Sequence, residues 1–389
     1  MRYPLHLDLA GRRVLVVGGG AVAARRVRGL LAAGADVIVV APELADGFPD
    51  VAVQRRAFTA ADVDGAWLVL ACTGAVDEQV AIACEQRRTW CVRADDAAGS
   101  PAWVPAVARH DDVVVSVTAG RDPRRAVGLR DALALALEVG ELPLRRGRPG
   151  TGSVALVGGG PGDPGLLTVR GRRLLAGADV VVRDRLAPQV ELAEGVEVVE
   201  VGKASGGPSW SQRDIEQLLV EHARRGRRVV RLKGGDVHVF ARGIEEVAAC
   251  VEAGVPVEVV PGVSSALAVP ALAGIPVTAR GVNQSFSVVS AHLPPDDPGS
   301  TVDWDALARV GGTVVLLMAV DRLDQACAAL VAGGRSASTP VAVVQDGSLP
   351  TQRTVMTTLG SAAADCASVR APAVVVVGDV VGLRAGPGA

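Results

Sequence analysis

Two clusters of glycine end apolar runs, and each could cradle a ligand with exposed backbone. The first closes R-R-V-L-V-V-G-G-G (12–20); an alanine- and leucine-rich stretch and then D-V-I-V-V-A-P follow. Strand, glycine turn, helix and strand within about thirty residues is the context a dinucleotide fingerprint requires. Gly18 and Gly20 take its first two glycine positions, and Ala23 the third, where a small residue lets helix and strand pack closely. The pyrophosphate would sit at the helix N-terminus, on Ala21 and Val22. Glu43, past Ala41 and Pro42, is the nearest acid to the second strand's end and the candidate ribose ligand. A βαβ unit that binds nothing is the alternative. The second cluster is V-G-G-G-P-G-D-P-G-L-L-T (157–168). Read as the same fingerprint, it puts the carboxylate of Asp163 where a small residue is needed, and Pro161 removes an amide. The two loops are therefore expected to do different jobs.

Other polar residues close apolar runs: Asp95 and Asp96 after T-W-C-V-R-A, Asp184 after V-V-V-R, Lys203 after V-E-V-V-E-V-G, and Lys233 and Asp236 in R-L-K-G-G-D. Ligands of open α/β sheets meet the carboxyl ends of strands; for Asp95 and Asp96 the alternative is a cap on the next turn. Of 40 basic residues only Lys203 and Lys233 are lysine, and both lie at such ends. Lysine differs from arginine in offering a compact ammonium with a tunable pKa.

The elements that position these groups alternate strand and helix, which predicts an α/β protein. At 389 residues the chain exceeds one growing core, so two or three domains are expected. Segments 1–113 and 153–389 are the expected folded modules, the second with lobes near 153–280 and 281–389. A short helical segment, 114–144, and a linker, 145–152, join them. A net charge of −2 gives no pull toward nucleic acid or an anionic membrane. The uncharged run 259–279 is broken by Pro261, Pro270 and Pro276, which argues for turns and short helices rather than a membrane span. No leader is expected. Six scattered cysteines read as reduced core residues of a cytoplasmic protein, and the five histidines show no metal-ligand pattern.

Residues 1 to about 140 resemble the precorrin-2 dehydrogenase/ferrochelatase module of siroheme synthases, most clearly in P-L-H-L-D-L-A-G-R-R-V-L-V-V-G-G-G-A-V-A-A-R-R. The resemblance implies a Rossmann-like fold, NAD as cofactor, oxidation of precorrin-2 and Fe2+ as a chelation substrate. The family's key aspartate falls on Asp95. Val92 stands where that family has asparagine, and the helical region after the sheet is short. Those departures bear on chelation more than on NAD binding.

Residues 153–383 resemble uroporphyrinogen-III C-methyltransferase, of the tetrapyrrole methylase family. The motifs are V-G-G-G-P-G-D-P-G-L-L-T, R-L-K-G-G-D, V-V-P-G-V-S-S-A, A-G-I-P-V-T and P-A-V-V-V-V-G-D-V-V. The resemblance implies a two-lobed α/β methylase fold using S-adenosylmethionine. Its cofactor contacts fall on Pro161, Gly234, Gly235, Asp236, Val239, Ser264, Ser265, Met318 and Gly347. Its proton acceptor falls on Asp184 and its proton donor on Lys203. It implies a homodimer, for which A-V-G-L-R-D-A-L-A-L-A-L is the candidate interface helix.

The expected function is siroheme biosynthesis: double methylation of uroporphyrinogen III to precorrin-2, then NAD-dependent oxidation to sirohydrochlorin. Two alternatives stay open. The first module could bind NAD or dimerise without catalysis, or the methylase could act on another tetrapyrrole.

Overall fold

The computed structural model describes residues 3–96, 98–120, 122–142, 144, 151–202 and 210–384. It divides into two compact units, Met1–Ala134 and Leu135–Ala389.

The first unit opens with β1 (Arg13–Val17), α1 (Ala21–Ala32), β2 (Asp36–Val40), β3 (Ala52–Gln54), β4 (Leu68–Ala71), α2 (Asp77–Gln86) and β5 (Trp90–Arg93). The strands form one parallel sheet in the order β3-β2-β1-β4-β5. This is a doubly wound arrangement whose switch point lies between β1 and β4, where ligands of such sheets bind. Alternation along β1 explains the two layers. Val14 and Val16 pack on Ala23, Val27 and Leu30 of α1, while Leu15 and Val17 pack on Val80, Ala83 and Cys84 of α2. An antiparallel hairpin follows, β6 (Ala106–His110) and β7 (Val113–Val117). The division between the units then falls within α3 (Pro123–Glu138).

The second unit holds two sheets. β8 (Ser153–Gly158), α4 (Val169–Ala176), β9 (Val180–Arg183), β10 (Glu197–Glu200), α5 (Gln212–Arg224), β11 (Arg228–Lys233), α6 (Gly243–Glu252) and β12 (Val257–Val260) make the first lobe. Its sheet is wholly parallel, ordered β10-β9-β11-β8-β12, so the loops after β8, β9, β11 and β12 emerge at one edge. Then come α7 (Ser265–Leu272), β13 (Phe286–Ser290), α8 (Trp304–Arg309), β14 (Thr313–Leu317), α9 (Leu323–Ala332), β15 (Pro340–Gln345), β16 (Arg353–Thr358), α10 (Ala362–Asp365) and β17 (Ala373–Val377). The second sheet is ordered β13-β14-β17-β15-β16. β17 runs antiparallel to both β14 and β15, so those two point the same way.

The uncharged run at 259–279 becomes the end of β12, a turn and α7. Ala266 and Val269 of α7 pack on Val315, Leu317, Ala342 and Val344 of the second sheet, which ties the lobes together. Pro270 is accommodated inside this helix. All six cysteines are free, and all but the half-buried Cys72 are buried. Among the described residues no helix is long and apolar enough to cross a membrane.

Candidate functional site

In the first unit, β1 ends at Val17 and α1 starts at Ala21, so Gly18–Gly20 is the whole turn. A Cβ at Gly18 would lie 2.6 Å from the Cys72 carbonyl oxygen, and one at Gly19 only 1.9 Å from that of Glu43. Gly18 also has φ +121°, a region side chains rarely enter. The turn is thus nested between the backbones that follow β4 and β2. At Gly20 the situation reverses: a Cβ would meet nothing within 4 Å, and no side chain caps α1. The amides of Ala21 and Val22 stand at an uncapped helix start, as a pyrophosphate site requires. Pro42 and Glu43 follow β2 and are exposed. These residues fit a dinucleotide.

Asp95 and Asp96 follow β5 and behave differently. Arg93 donates to both oxygens of Asp95, Nε to Oδ1 at 3.1 Å and Nη2 to Oδ2 at 2.9 Å. That guanidinium holds the Asp95 carboxyl below the usual carboxylate range. Asp96 caps the next turn, its Oδ1 accepting from the amides of Ala98 and Gly99. Asp77, not singled out in the sequence, is almost fully buried and accepts from the Thr73 and Gly74 amides, which fixes the turn after β4. Among the described residues no group of three or more His, Cys, Asp or Glu side chains could hold a metal ion.

In the second unit the candidate residues of the first lobe lie in loops at one edge of its sheet. Pro161 lies in the loop after β8, Asp184 after β9, and Gly234, Gly235, Asp236 and Val239 after β11. Ser264 and Ser265 open α7 after β12, and Met318 and Gly347 follow β14 and β15. Lys203 lies outside the described residues. The loops after β8 and β11 are pinned by reciprocal bonds, the Gly160 amide to the Gly235 carbonyl at 3.1 Å and the reverse at 2.7 Å. Asp236 joins a third loop, since Oδ1 accepts from the His238 amide (2.8 Å) and Oδ2 from the Gly262 amide (3.1 Å). A Cβ at Gly262 would sit 2.2 Å from the Gly235 oxygen and 2.6 Å from Gly158, so three backbones touch with no room for side chains. Ser264 caps α7 through the Ala266 amide. Of the seven described non-glycine residues with positive φ, five are in these loops or beside them: Phe240, Arg242, Met318, Asp346 and Ser348. Strain held in this way concentrates at ligand sites. The nested glycines and the strained turns fit a cofactor that needs close backbone approach.

Asp184 is partly exposed at 31%. Its Oδ1 accepts from Arg231 Nη2 at 2.5 Å, and its Oδ2 lies 4.0 Å from Lys233 Nζ. Lys233 donates to both oxygens of Glu246 at 3.0 and 2.9 Å, and Arg231 Nε to Glu246 Oε1 at 3.0 Å. Burial, and next the neighbouring Arg231, push the Lys233 ammonium below its usual range. Arg231 and Glu246 were not singled out in the sequence. Two cations two residues apart in a valine-rich, largely buried strand were the available signal, because such charges demand buried partners.

Residues 153–363 match the family model of Tetrapyrrole (Corrin/Porphyrin) Methylases, and residues 5–106 match one described as "Putative NAD(P)-binding". The siroheme synthase of Chromobacterium violaceum is 38% identical, across 98% of this chain and 95% of that protein. The S-adenosyl-L-methionine-dependent uroporphyrinogen III methyltransferase of Methanosarcina barkeri is 44% identical over 60% of this chain and 93% of its own length. Among solved structures, the Thermus thermophilus uroporphyrin-III C-methyl transferase complexed with S-adenosyl homocysteine superposes with a TM-score of 0.52. It is 44% identical and covers 60% of this chain and 100% of that one. With a tetrapyrrole methylase and an NAD(P)-binding module matched in one chain, and a relative aligned along nearly its whole length, this protein belongs to the siroheme synthase family.

Proposed function

We propose that the second unit methylates uroporphyrinogen III twice to give precorrin-2, with Asp184 taking the substrate proton and Lys203 returning one. The first unit oxidises that product to sirohydrochlorin, with Asp95 as its key carboxylate. When bound, S-adenosylmethionine supplies an electrophilic methyl group, and NAD supplies a hydride acceptor. The protein's own part in methylation is to orient the cofactor and ring carbon in a dry cleft and to move a proton. Gly234, Gly235, Asp236, Val239, Pro161, Ser264, Ser265, Met318 and Gly347 would hold the first cofactor. Gly18, Gly20, Ala21, Val22, Pro42 and Glu43 would hold the second.

One observation carries the methylation reading. Asp184 is the solvent-reaching end of an ion-paired group, at the same sheet edge as the three interlocked cofactor loops. Methylation leaves a cationic ring that must lose a proton, and a fixed carboxylate at that edge suits the task. Anaerobic incubation with uroporphyrinogen III and S-adenosylmethionine, with and without NAD+, tests both units. Precorrin-2 should form in both mixtures, with sirohydrochlorin and NADH only in the second. Asp184→Asn should still bind S-adenosylmethionine but lose methylation about a hundredfold or more. No methylated product from the native chain would refute the reading.

A second reading, in which the first unit oxidises without chelating, is favoured by the Arg93 fork on Asp95. A divalent iron would have to displace a guanidinium from both carboxylate oxygens. Retention of iron-free sirohydrochlorin when Fe2+ is supplied would support it; siroheme formation above the uncatalysed rate would not. We further propose that the chain works as a cytoplasmic homodimer without nucleic-acid or membrane partners. Exposed Val127, Leu129 and Leu133 on α3 support self-association. The module boundaries we propose are residues 113, 144 and 152; 152 lies just before β8, and 113 opens β7, so the segment after it starts with a strand rather than a helix.

A further inference from the structure

Beneath Asp184 lies a charge cluster that the cofactor contacts do not use. Arg231 and Lys233 flank Leu232 on β11, so their side chains leave the same face of the strand. That face meets α6, whose first turn carries Glu246. Arg231 and Lys233 are each 2% exposed and Glu246 is 0%, against 31% for Asp184. Two cations thus balance two carboxylates, and only Asp184 reaches solvent. Apolar groups of similar volume commonly fill such a space at lower cost, so a buried ionic cluster calls for a role beyond stability.

The geometry suggests that role. Glu246 and the Val182 carbonyl hold Arg231, and Arg231 in turn holds Oδ1 of Asp184. The carboxylate is thereby oriented with Oδ2 turned toward Lys233 at 4.0 Å, too long for a hydrogen bond. Without Lys233 a single guanidinium would face two carboxylates, and Glu246, freed of its ammonium, would compete with Asp184 for it. The other ionisable neighbours do not supply this balance. Glu245 on α6 is exposed and paired with Arg242. Cys250 on α6 is a buried thiol pushed up to about 11, mainly by burial. Arg183, next to Asp184, is paired with Glu200.

We infer that Lys233 and Glu246 are positioning residues for methyl transfer: acting with Arg231, they fix the orientation of the Asp184 carboxylate. The inference rests on the reading of Asp184 as proton acceptor. A misdirected base slows proton transfer without weakening the cofactor's hold, so the loss falls on kcat and not on KM.

The test measures kcat and the KM for S-adenosylmethionine, anaerobically, on the full chain. Lys233→Met should lower kcat by roughly ten- to a hundredfold and leave KM unchanged. Lys233→Arg, which keeps the charge, should recover most of the native kcat. A folded Lys233→Met with the native kcat overturns the inference. If Lys233→Met does not fold, Lys233→Met/Glu246→Gln decides, because it leaves no buried charge unpaired. Its kcat should fall below the native value at an unchanged KM, because Arg231 has lost the carboxylate that anchors it, and a native kcat again overturns the inference. Asp184→Asn separates the two ideas. Full activity in that variant sinks the proton-acceptor reading itself, whereas loss there beside a native kcat in Lys233→Met sinks only the positioning role.

Discussion

Gly262→Ala is the sharpest test of how the methylase cofactor site is built. The added Cβ would lie 2.2 Å from the Gly235 carbonyl oxygen and 2.6 Å from the Cα and carbonyl carbon of Gly158. Non-bonded heavy atoms settle at about 3.5 Å, so the loops after β8, β11 and β12 must part by roughly 1 Å. None of the three contacts is a side chain that could swing aside. The same movement stretches the 3.1 Å bond from the Gly262 amide to Asp236 beyond hydrogen-bonding range. Overpacking of this kind costs about 1–3 kcal/mol of stability. A misplacement of about 1 Å at a reacting centre costs roughly a hundredfold in rate, or about 2.7 kcal/mol of transition-state binding. The expected result is therefore a folded protein whose kcat/KM for S-adenosylmethionine falls about a hundredfold, with weakened calorimetric binding of S-adenosylhomocysteine. Gly281→Ala serves as the control. Its φ is +82° but a Cβ there meets nothing within 4 Å, so only left-handed strain of about 1 kcal/mol is added. Native affinity and rate in Gly262→Ala, or equal damage in the control, would refute the idea that backbone nesting shapes the site.

Gly19→Ala should abolish NAD+ binding in calorimetry and leave methylation intact, because its Cβ would fall 1.9 Å from the Glu43 oxygen. Arg93→Ala removes the guanidinium that depresses the Asp95 carboxyl, so that carboxyl should rise toward its ordinary range. If Asp95 acts as a base, the acidic limb of NAD+ reduction by precorrin-2 should then move to higher pH; an unmoved limb would exclude Asp95 from that step. Asp62 carries a depressed pKa, chiefly through the hydrogen bond from Arg56, and sits in a capping box with Thr59. A depressed carboxylate stabilises the fold above its unfolded pKa and loses that contribution as pH falls through the folded value. Asp62→Asn should cost about 1 kcal/mol in urea unfolding at pH 7, shrinking toward zero below about pH 4.

Much of this architecture was legible because strands buried on both faces write themselves as valine-rich runs, and the residues just past them mark one sheet edge. T-W-C-V-R-A-D-D shows where that kind of reading stops. The sequence put two aspartates past a strand, as ligand contacts or as a turn cap, but it could not say that Asp96 alone would cap the turn while Asp95 would be gripped by Arg93. Side-chain pairing depends on local turn geometry, which single-residue types do not encode. The buried cluster was hidden for a related reason. Glu246 follows Glu245 in the first turn of α6, where acidic residues are ordinary, and only the packing of α6 against β11 turns one of them inward. Lys233 was noticed for its rarity and its place at a strand end. What it touches required the fold.

The two triple-glycine loops show how far a motif can be carried before geometry decides its job. In the first unit Gly18–Gly20 leads directly into α1, whose opening amides no side chain caps. In the second, Gly159–Thr168 separates β8 from α4. There the amides are already spoken for. The Asp163 amide donates to Ser348 of the second lobe, Asp163 itself accepts from Gly165, and Thr168 caps α4 through Gly171. A pyrophosphate would find no free helix end to sit on. The glycines of this loop serve instead to bring the backbones after β8, β11 and β12 into contact, which leaves a cradle shared between two lobes. The carboxylate at Asp163, out of place in a dinucleotide fingerprint, is what closes the second loop's short turn and with it the option of binding phosphate there. One glycine cluster thus exposes donors and the other consumes them, and that difference in amide partners, more than the glycines themselves, separates the two cofactor sites.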